Sequence, residues 1–241
     1  MKILFAPSEA KSSVTSDVKL NFSNFLFPNL SSKRQEILDV YVKFLKNAND
    51  NEIAKLFGLK FQENMRNFNQ LSTIKALKRY TGVAFEHLKY NSLSQQEQDF
   101  LDKNVIIFSN LFGPILGGDM IPEYKLKQGE KIGELNIDKF YNKHFSLCMD
   151  EILHDEFVLD LRAGYYEKFY KIKKEHYTFK FVKDKKVVSH YAKAYRGVIL
   201  KEIAKQKIKD EKSLLNIKVN DIKLVEIKKI GLKNEILCEI L

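Results

Sequence analysis

The stretch Lys2-Ile3-Leu4-Phe5-Ala6-Pro7-Ser8-Glu9-Ala10-Lys11-Ser12 opens the chain with a short apolar run, stops it with a proline, and follows it with a hydroxyl, a carboxylate and an ammonium. A run this short and abrupt predicts a buried strand. The turn after such a strand is where open sheets hold ligands, which makes Ser8, Glu9 and Lys11 candidates for binding. An ordinary polar turn capping a sheet has the same composition, and the spacing alone does not separate the two.

Working outward, Ile37, Leu38, Tyr41, Val42, Phe44 and Leu45 recur at helical spacing after Ser31 or Ser32, either of which is a suitable N-cap. Helical segments continue to about residue 103, among them one opened by Ser94 with Glu97 three residues on, a capping box. Val105 to Phe108 is the next continuous apolar run, and the long helical connection before it predicts a parallel crossover. Beyond it, Ser109 to Asp119 holds three of the chain's ten glycines. Glycines permit close backbone approach, so this loop, with Asn110 and Asp119, is a candidate cradle for a phosphate or base; a tight structural turn fits equally. It matches neither a P-loop nor a dinucleotide fingerprint. Ile121 to Lys127 then reads as an edge strand carrying Tyr124 beside Lys125.

Ile137 to Leu153 returns to helical periodicity, and Phe157 to Leu161 reads as a third buried strand. Tyr177 to Val182 and Lys186 to Val188 predict a hairpin turning at Asp184-Lys185. Ser189 to Ile208 predicts a long helix, and Ile222 to Ile227 with Glu235 to Leu241 two closing strands around Gly231. The expectation is an α+β fold with a mixed β-sheet and a largely helical N-terminal half. With 4 Pro and 10 Gly scattered and no linker, one domain is expected over residues 1–241.

Formal charge is +10, from 41 basic and 31 acidic residues. Such a field attracts phosphate polymers, although lysine can serve merely as the default solvating residue. Only five residues are Arg (Arg34, Arg66, Arg79, Arg162 and Arg196), and each planar fork is correspondingly informative. Asp160 and Arg162 stand two apart on one face of the third strand if it extends that far. They read either as a buried pair or as an Arg facing a ligand anion. Lys193 and Arg196 are neighbours near the start of the long helix, where cations oppose the macrodipole unless an anion is present.

No apolar run is long enough to cross a bilayer, no signal peptide is evident, and Cys148 and Cys238 cannot form a disulfide framework, so a cytoplasmic protein without a membrane partner is expected. His144 and Cys148 are four apart, with His154 nearby, but no iron-site pattern accompanies them. No metal or cofactor is assigned. A hydrolytic set of Ser8, His190 and Asp160 lacks a nucleophile elbow, and no catalytic residue is assigned.

Pro7-Ser8-Glu9-Ala10-Lys11, Tyr80-Thr81-Gly82-Val83-Ala84-Phe85, Ser109 to Lys127, Asp160-Leu161-Arg162 and Lys193-Ala194-Tyr195-Arg196-Gly197 occur in the order and approximate spacing of the YaaA family, which the chain resembles to about residue 210. It departs where Asn110-Leu111-Phe112-Gly113-Pro114 replaces the family's Gly-Leu-Tyr-Gly-Leu, at Lys125 in place of an Arg, and in lacking Trp. The resemblance implies a role in resisting hydrogen peroxide by controlling unincorporated iron, DNA binding, and a fold containing a helix-hairpin-helix. For that element the chain offers Ile53 to Gln62, centred on Gly58, with Lys55, Lys60 and Arg66 nearby; a glycine helix cap gives the same pattern. Two functional expectations follow. One is non-specific duplex binding through phosphate contacts. The other is an enzyme acting on a nucleotide, nucleobase or small anionic metabolite in a pocket of Ser8, Glu9, Lys11, Asn110, Asp119, Asp160, Arg162, Lys193 and Arg196. Oligomeric state is not legible in the sequence.

Overall fold

The computed structural model describes residues 1–184, 186–187 and 189–241. In chain order its strands are β1 (Lys2–Phe5), β2 (Thr73–Lys75), β3 (Val105–Ser109), β4 (Gly113–Leu116), β5 (Met120–Pro122), β6 (Val158–Leu161), β7 (His176–Lys183), β8 (Lys186–Val187), β9 (Ile222–Ile230) and β10 (Lys233–Ile240). The α-helices are α1 (Ser31–Asn47), α2 (Asp50–Phe57), α3 (Ala76–Arg79), α4 (Val83–Leu88), α5 (Gln95–Asn104), α6 (Ile137–Leu153), α7 (Ser189–Lys205) and α8 (Glu211–Leu215).

An eight-stranded mixed sheet runs β4-β3-β1-β6-β7-β10-β9, with β8 paired to β7. β1 is parallel to β3 on one side and to β6 on the other, Ile3 standing opposite both Val105 and Leu159. Strands covered on both faces should be apolar without interruption, and Ile3, Leu4, Phe5 and all of β3 are buried. β10 covers only one face, so Asn234, Ile236, Cys238 and Ile240 alternate inward. The crossover from β1 to β3 carries α1 to α5, as the long helical connection predicts. The chain then returns past β1 to lay down β6 on its other side. β1 and β6 therefore flank the point where the winding reverses, and their carboxyl ends leave a crevice.

Several local expectations hold. α5 opens with the Ser94–Glu97 capping box, α6 spans Ile137–Leu153, and β9 and β10 form the closing hairpin. β7 and β8 form the predicted antiparallel pair; Lys185 and Val188 lie outside the described residues, as does the side chain of His190. Others need correction. α1 is entered from Leu30 without a side-chain cap, because a 3-10 turn over Pro28–Leu30 leads the chain in and Ser31 turns its hydroxyl back to the Pro28 carbonyl. The glycine-rich loop is no open cradle. It forms the β3–β4 hairpin, with Gly113 paired to Ser109 and packed under the Tyr141 ring.

The residues around Gly58 form a helix C-cap, and no second α-helix follows. Gly58 sits at φ 67°, its amide donating to Ala54 and Lys55 carbonyls at the end of α2. The chain then runs on to a 3-10 turn at Glu63–Arg66 where a hairpin's second helix would stand. Arg66 explains the difference: its guanidinium reaches back to the Leu45 and Ala48 carbonyls and to Asp50, tying this turn to the end of α1. Lys55 stands 3.9 Å from Glu130, and Lys60 is exposed. No helix among the described residues is long and apolar enough to cross a membrane.

Candidate functional site

The crevice beyond β1 and β6 is a cleft of about 330 Å³. Its floor is the end of β1 with Pro7, Ser8 and Glu9; Leu161, Ala163 and Tyr166 form one wall, Gly82 to Phe85 another, and Lys193 and Arg196 of α7 overhang it. Backbone hydrogen bonds between segments far apart in the chain build the floor. Residues after Pro7 zip against the segment following α3, through the Thr81 amide on the Ala10 carbonyl at 3.0 Å and the Ser12 amide on the Arg79 carbonyl at 2.8 Å. Gly82 faces Ser8 so closely that a β-carbon there would lie 2.6 Å from Oγ. Glu9 accepts the Gln128 amide at 3.3 Å, closing the rim.

α7 can overhang the cleft because Gly197 lets it touch α4. A β-carbon at Gly197 would lie 1.9 Å from the Ala84 carbonyl oxygen. Arg196, one residue before, is largely shielded from water; burial lowers its pKa and the charge of Asp160 opposes that shift. Its guanidinium makes no hydrogen bond or ion pair with the described residues, so the Arg fork stays open toward the cleft it lines. Lys193 beside it is exposed.

Behind the floor lies a layer of buried hydroxyls. Tyr124 OH is 2.8 Å from both Tyr80 OH and Ser109 Oγ, and Ser109 in turn accepts the Phe112 amide. Tyr166 donates to the Asn110 side chain at 3.1 Å, and Asn110 donates to the Leu126 carbonyl at 3.1 Å. Burial raises the pKa of Tyr80, Tyr124 and Tyr166, so these phenols remain neutral donors. Lys11 is inserted into this layer. Its Nζ sits 4.0 Å above the Tyr124 ring and donates to the Ser8 and Glu9 carbonyls at 3.1 and 3.3 Å. Burial, with Lys125 nearby, brings its pKa down to about 7, against the pull of Glu9 and Glu123. The amine thus changes charge near neutrality directly beneath the cleft floor.

The predicted pocket of nine residues does not assemble as one site. Ser8, Glu9, Lys193 and Arg196 converge on the cleft, with Lys11 and Asn110 in the layer behind. Tyr124 and Lys125 line a separate concavity of about 340 Å³ with Tyr41 and Arg79. Asp160 and Arg162 pair with each other: Nε to Oδ1 and Nη2 to Oδ2 are both 2.9 Å, and the remaining Arg162 nitrogen donates to the Tyr166 and Tyr170 carbonyls. Burial pushes the Asp160 carboxyl up, but the charge and hydrogen bonds of Arg162 outweigh it and hold the pKa below the usual carboxylate value. Four of the five Arg162 N–H donors are occupied in this way, so of the two readings the sequence allowed the structure shows the buried pair rather than an Arg fork facing a ligand anion. Asp119 is likewise structural. It accepts the Leu26 and Leu116 amides at 3.1 and 2.8 Å, and burial raises it to about 6. Gly82, Gln128 and Tyr166 belong to the cleft and escaped assignment; Gly82 and Tyr166 adjoin candidates that were singled out.

A family model described as peroxide stress protein YaaA matches residues 1–227. The chain belongs to this family. The match runs past residue 210, further than the blocks legible in the sequence. The uncharacterized protein Cj0984 of Campylobacter jejuni is 46% identical over 245 residues, covering 100% of both chains. A UPF0246 protein of Corynebacterium glutamicum is 31% identical over 85% of each chain, and one of Fusobacterium nucleatum is 26% identical over 91% of this chain and 92% of its own. In this YaaA-family chain all the residues of the switch-point cleft fall within the matched span.

Proposed function

We propose that this YaaA-family protein serves the response to hydrogen peroxide by holding a phosphate-bearing small molecule, of the nucleotide class, in the cleft between the ends of β1 and β6. The observation that carries the reading is Arg196: a shielded guanidinium, uncommitted among the described residues, over a crevice where the winding of the sheet reverses. Lys193 adds a second cation, Lys11 a third whose charge depends on pH, and Ser8, Gln128 and Tyr166 supply neutral polar groups. Such an array positions an anion and pairs it with buried hydroxyls, a set suited to binding and to proton transfer.

Thermal melting in the presence of adenosine monophosphate or inorganic phosphate tests it. Saturable stabilisation is expected, and Arg196→Ala should weaken it by an order of magnitude or more, since a charge-assisted contact is worth about 1.5 to 3 kcal/mol. Arg196→Lys should recover only part, because an ammonium cannot reproduce the fork. No shift with either ligand would sink the reading.

The net charge of +10 favours a second one, non-specific duplex binding that limits damage by unincorporated iron. Lys60, exposed beside the Gly58 cap, is its nearest candidate contact. Affinity for unrelated duplexes should then be similar and fall steeply with salt. Duplex affinity insensitive to Arg196→Ala, with no nucleotide-dependent melting shift, would replace the first reading by this one.

A further inference from the structure

β9 closes one edge of the large sheet and, among the described residues, pairs only with β10. It is a nine-residue strand of which only Ile222 is buried. A long free edge exposes a row of unpaired backbone donors and acceptors, and soluble proteins usually blunt it with proline, bulges or unmatched lysines. Here there is no proline, the one irregularity lies at Val225, and Glu226 to Ile230 runs straight opposite Leu237 to Lys233. Val225, Ile227 and Ile230 are each about half exposed, at 51%, 46% and 53%. The two lysines of this straight stretch are matched: Lys228 lies 2.9 Å from Glu226 and Lys229 2.6 Å from Glu175.

Charge also selects a partner. Two copies of one edge pair antiparallel about a two-fold axis perpendicular to the sheet, which places residues of the same face opposite each other and centres the axis on a single residue. Within the straight stretch, centring on Glu226 opposes two carboxylates. Centring on Lys228 or Lys229 opposes two ammonium groups. Centring on Ile230 pushes the pairing out into the turn at Gly231. Centring on Ile227 stacks two isoleucines at the axis and sets each Glu226 opposite the partner's Lys228, twice by symmetry. We propose that the free edge of β9 is a homodimer interface in which two copies pair about Ile227, joining their sheets into one.

Sedimentation equilibrium across a concentration series tests this together with charge reversal. The unmodified chain is expected to dimerise, and Glu226→Lys and Lys228→Glu should each raise the dissociation constant by about tenfold or more, because each turns both cross-strand ion pairs into like-charge contacts. Mixing the two variants should restore a dimer, since one chain then presents only lysine and the other only glutamate at these positions. The contact between Glu226 and Lys228 within one chain cannot produce that rescue. Ile227→Cys, in a Cys148→Ser background, should form a disulfide with its own copy under mild oxidation, since the α-carbons of directly opposed residues, about 4.5 to 5.5 Å apart, fall within the range of about 4.4 to 6.8 Å that a disulfide spans. A chain that stays monomeric up to its solubility limit, a dimer indifferent to both charge reversals, or variants that fail to rescue each other would overturn the proposal.

Discussion

Gly197→Ala is the most direct probe of how α7 is held against α4 over the cleft. The added β-carbon would lie 1.9 Å from the Ala84 carbonyl oxygen and 2.8 Å from its carbonyl carbon, both backbone atoms that cannot rotate away. An ordinary carbon-to-oxygen contact needs about 3.3 Å, so α7 must retreat from α4 by roughly 1.4 Å. Two effects oppose each other. Alanine in a helix interior gains about 1 kcal/mol over glycine. Overpacking a well-filled contact costs about 1 to 3 kcal/mol, and the upper end applies where backbone meets backbone. The clash should win by about 2 kcal/mol, lowering the melting temperature by roughly 4 to 8 °C in a chain of this size. Ala84 lines the cleft from one side and Arg196 from the other, so the retreat should also loosen phosphate binding. Urea denaturation measures the first effect and a phosphate titration of the folded variant the second. A Gly197→Ala protein as stable as the unmodified chain would refute the claim that this contact sets the spacing.

Two further outcomes follow from the charges around the cleft. Asp160→Ala strands the Arg162 side chain in the interior without its carboxylate and should cost about 3 to 5 kcal/mol in urea denaturation, far more than loss of an exposed anion contact would. Lys11 is protonated below its pKa of about 7 and neutral above it, so affinity for sulfate, which does not titrate in this range, should fall as pH rises through 7. The drop should be about three- to tenfold, the worth of one nearby partly screened charge. Lys11→Arg should abolish this dependence, and an unchanged pH profile in that variant would show that another group controls it.

Much of the fold was legible because burial leaves a local signature. The apolar runs of β1 and β3 announce strands covered on both faces, β6 repeats the pattern with Asp160 as its one polar break, and the helical stretch between the first two forces a parallel crossover. The Ser94–Glu97 box and the period of Ile137 to Leu153 fix two helices nearly to the residue. The Gly58 segment shows the limit. Its residues are compatible with a capped helix or with the first half of a hairpin, and the choice is made by Arg66 bonding to carbonyls at Leu45 and Ala48. That is a tertiary contact, invisible to a local pattern.

The site divides along the same line. Ser8 and Glu9 were readable from their place after a buried strand, and Lys193 with Arg196 from charges that oppose a helix dipole. What the pattern could not supply was which arginine is already satisfied. Arg162 and Arg196 are each half of a cation and carboxylate neighbourhood around Asp160, yet only Arg162 can present its fork edge-on, because alternate residues of an extended chain share a face. Once that pair forms, Asp160 has spent both oxygens on Arg162 and can offer Arg196 only its field. One carboxylate between two guanidiniums leaves a net positive charge, and burial of Arg162 places the surplus on Arg196 at the cleft wall. On the reading proposed above, an anion entering there would complete the balance, and the Asp160–Arg162 pair would keep the neighbouring helix residue available to bind it.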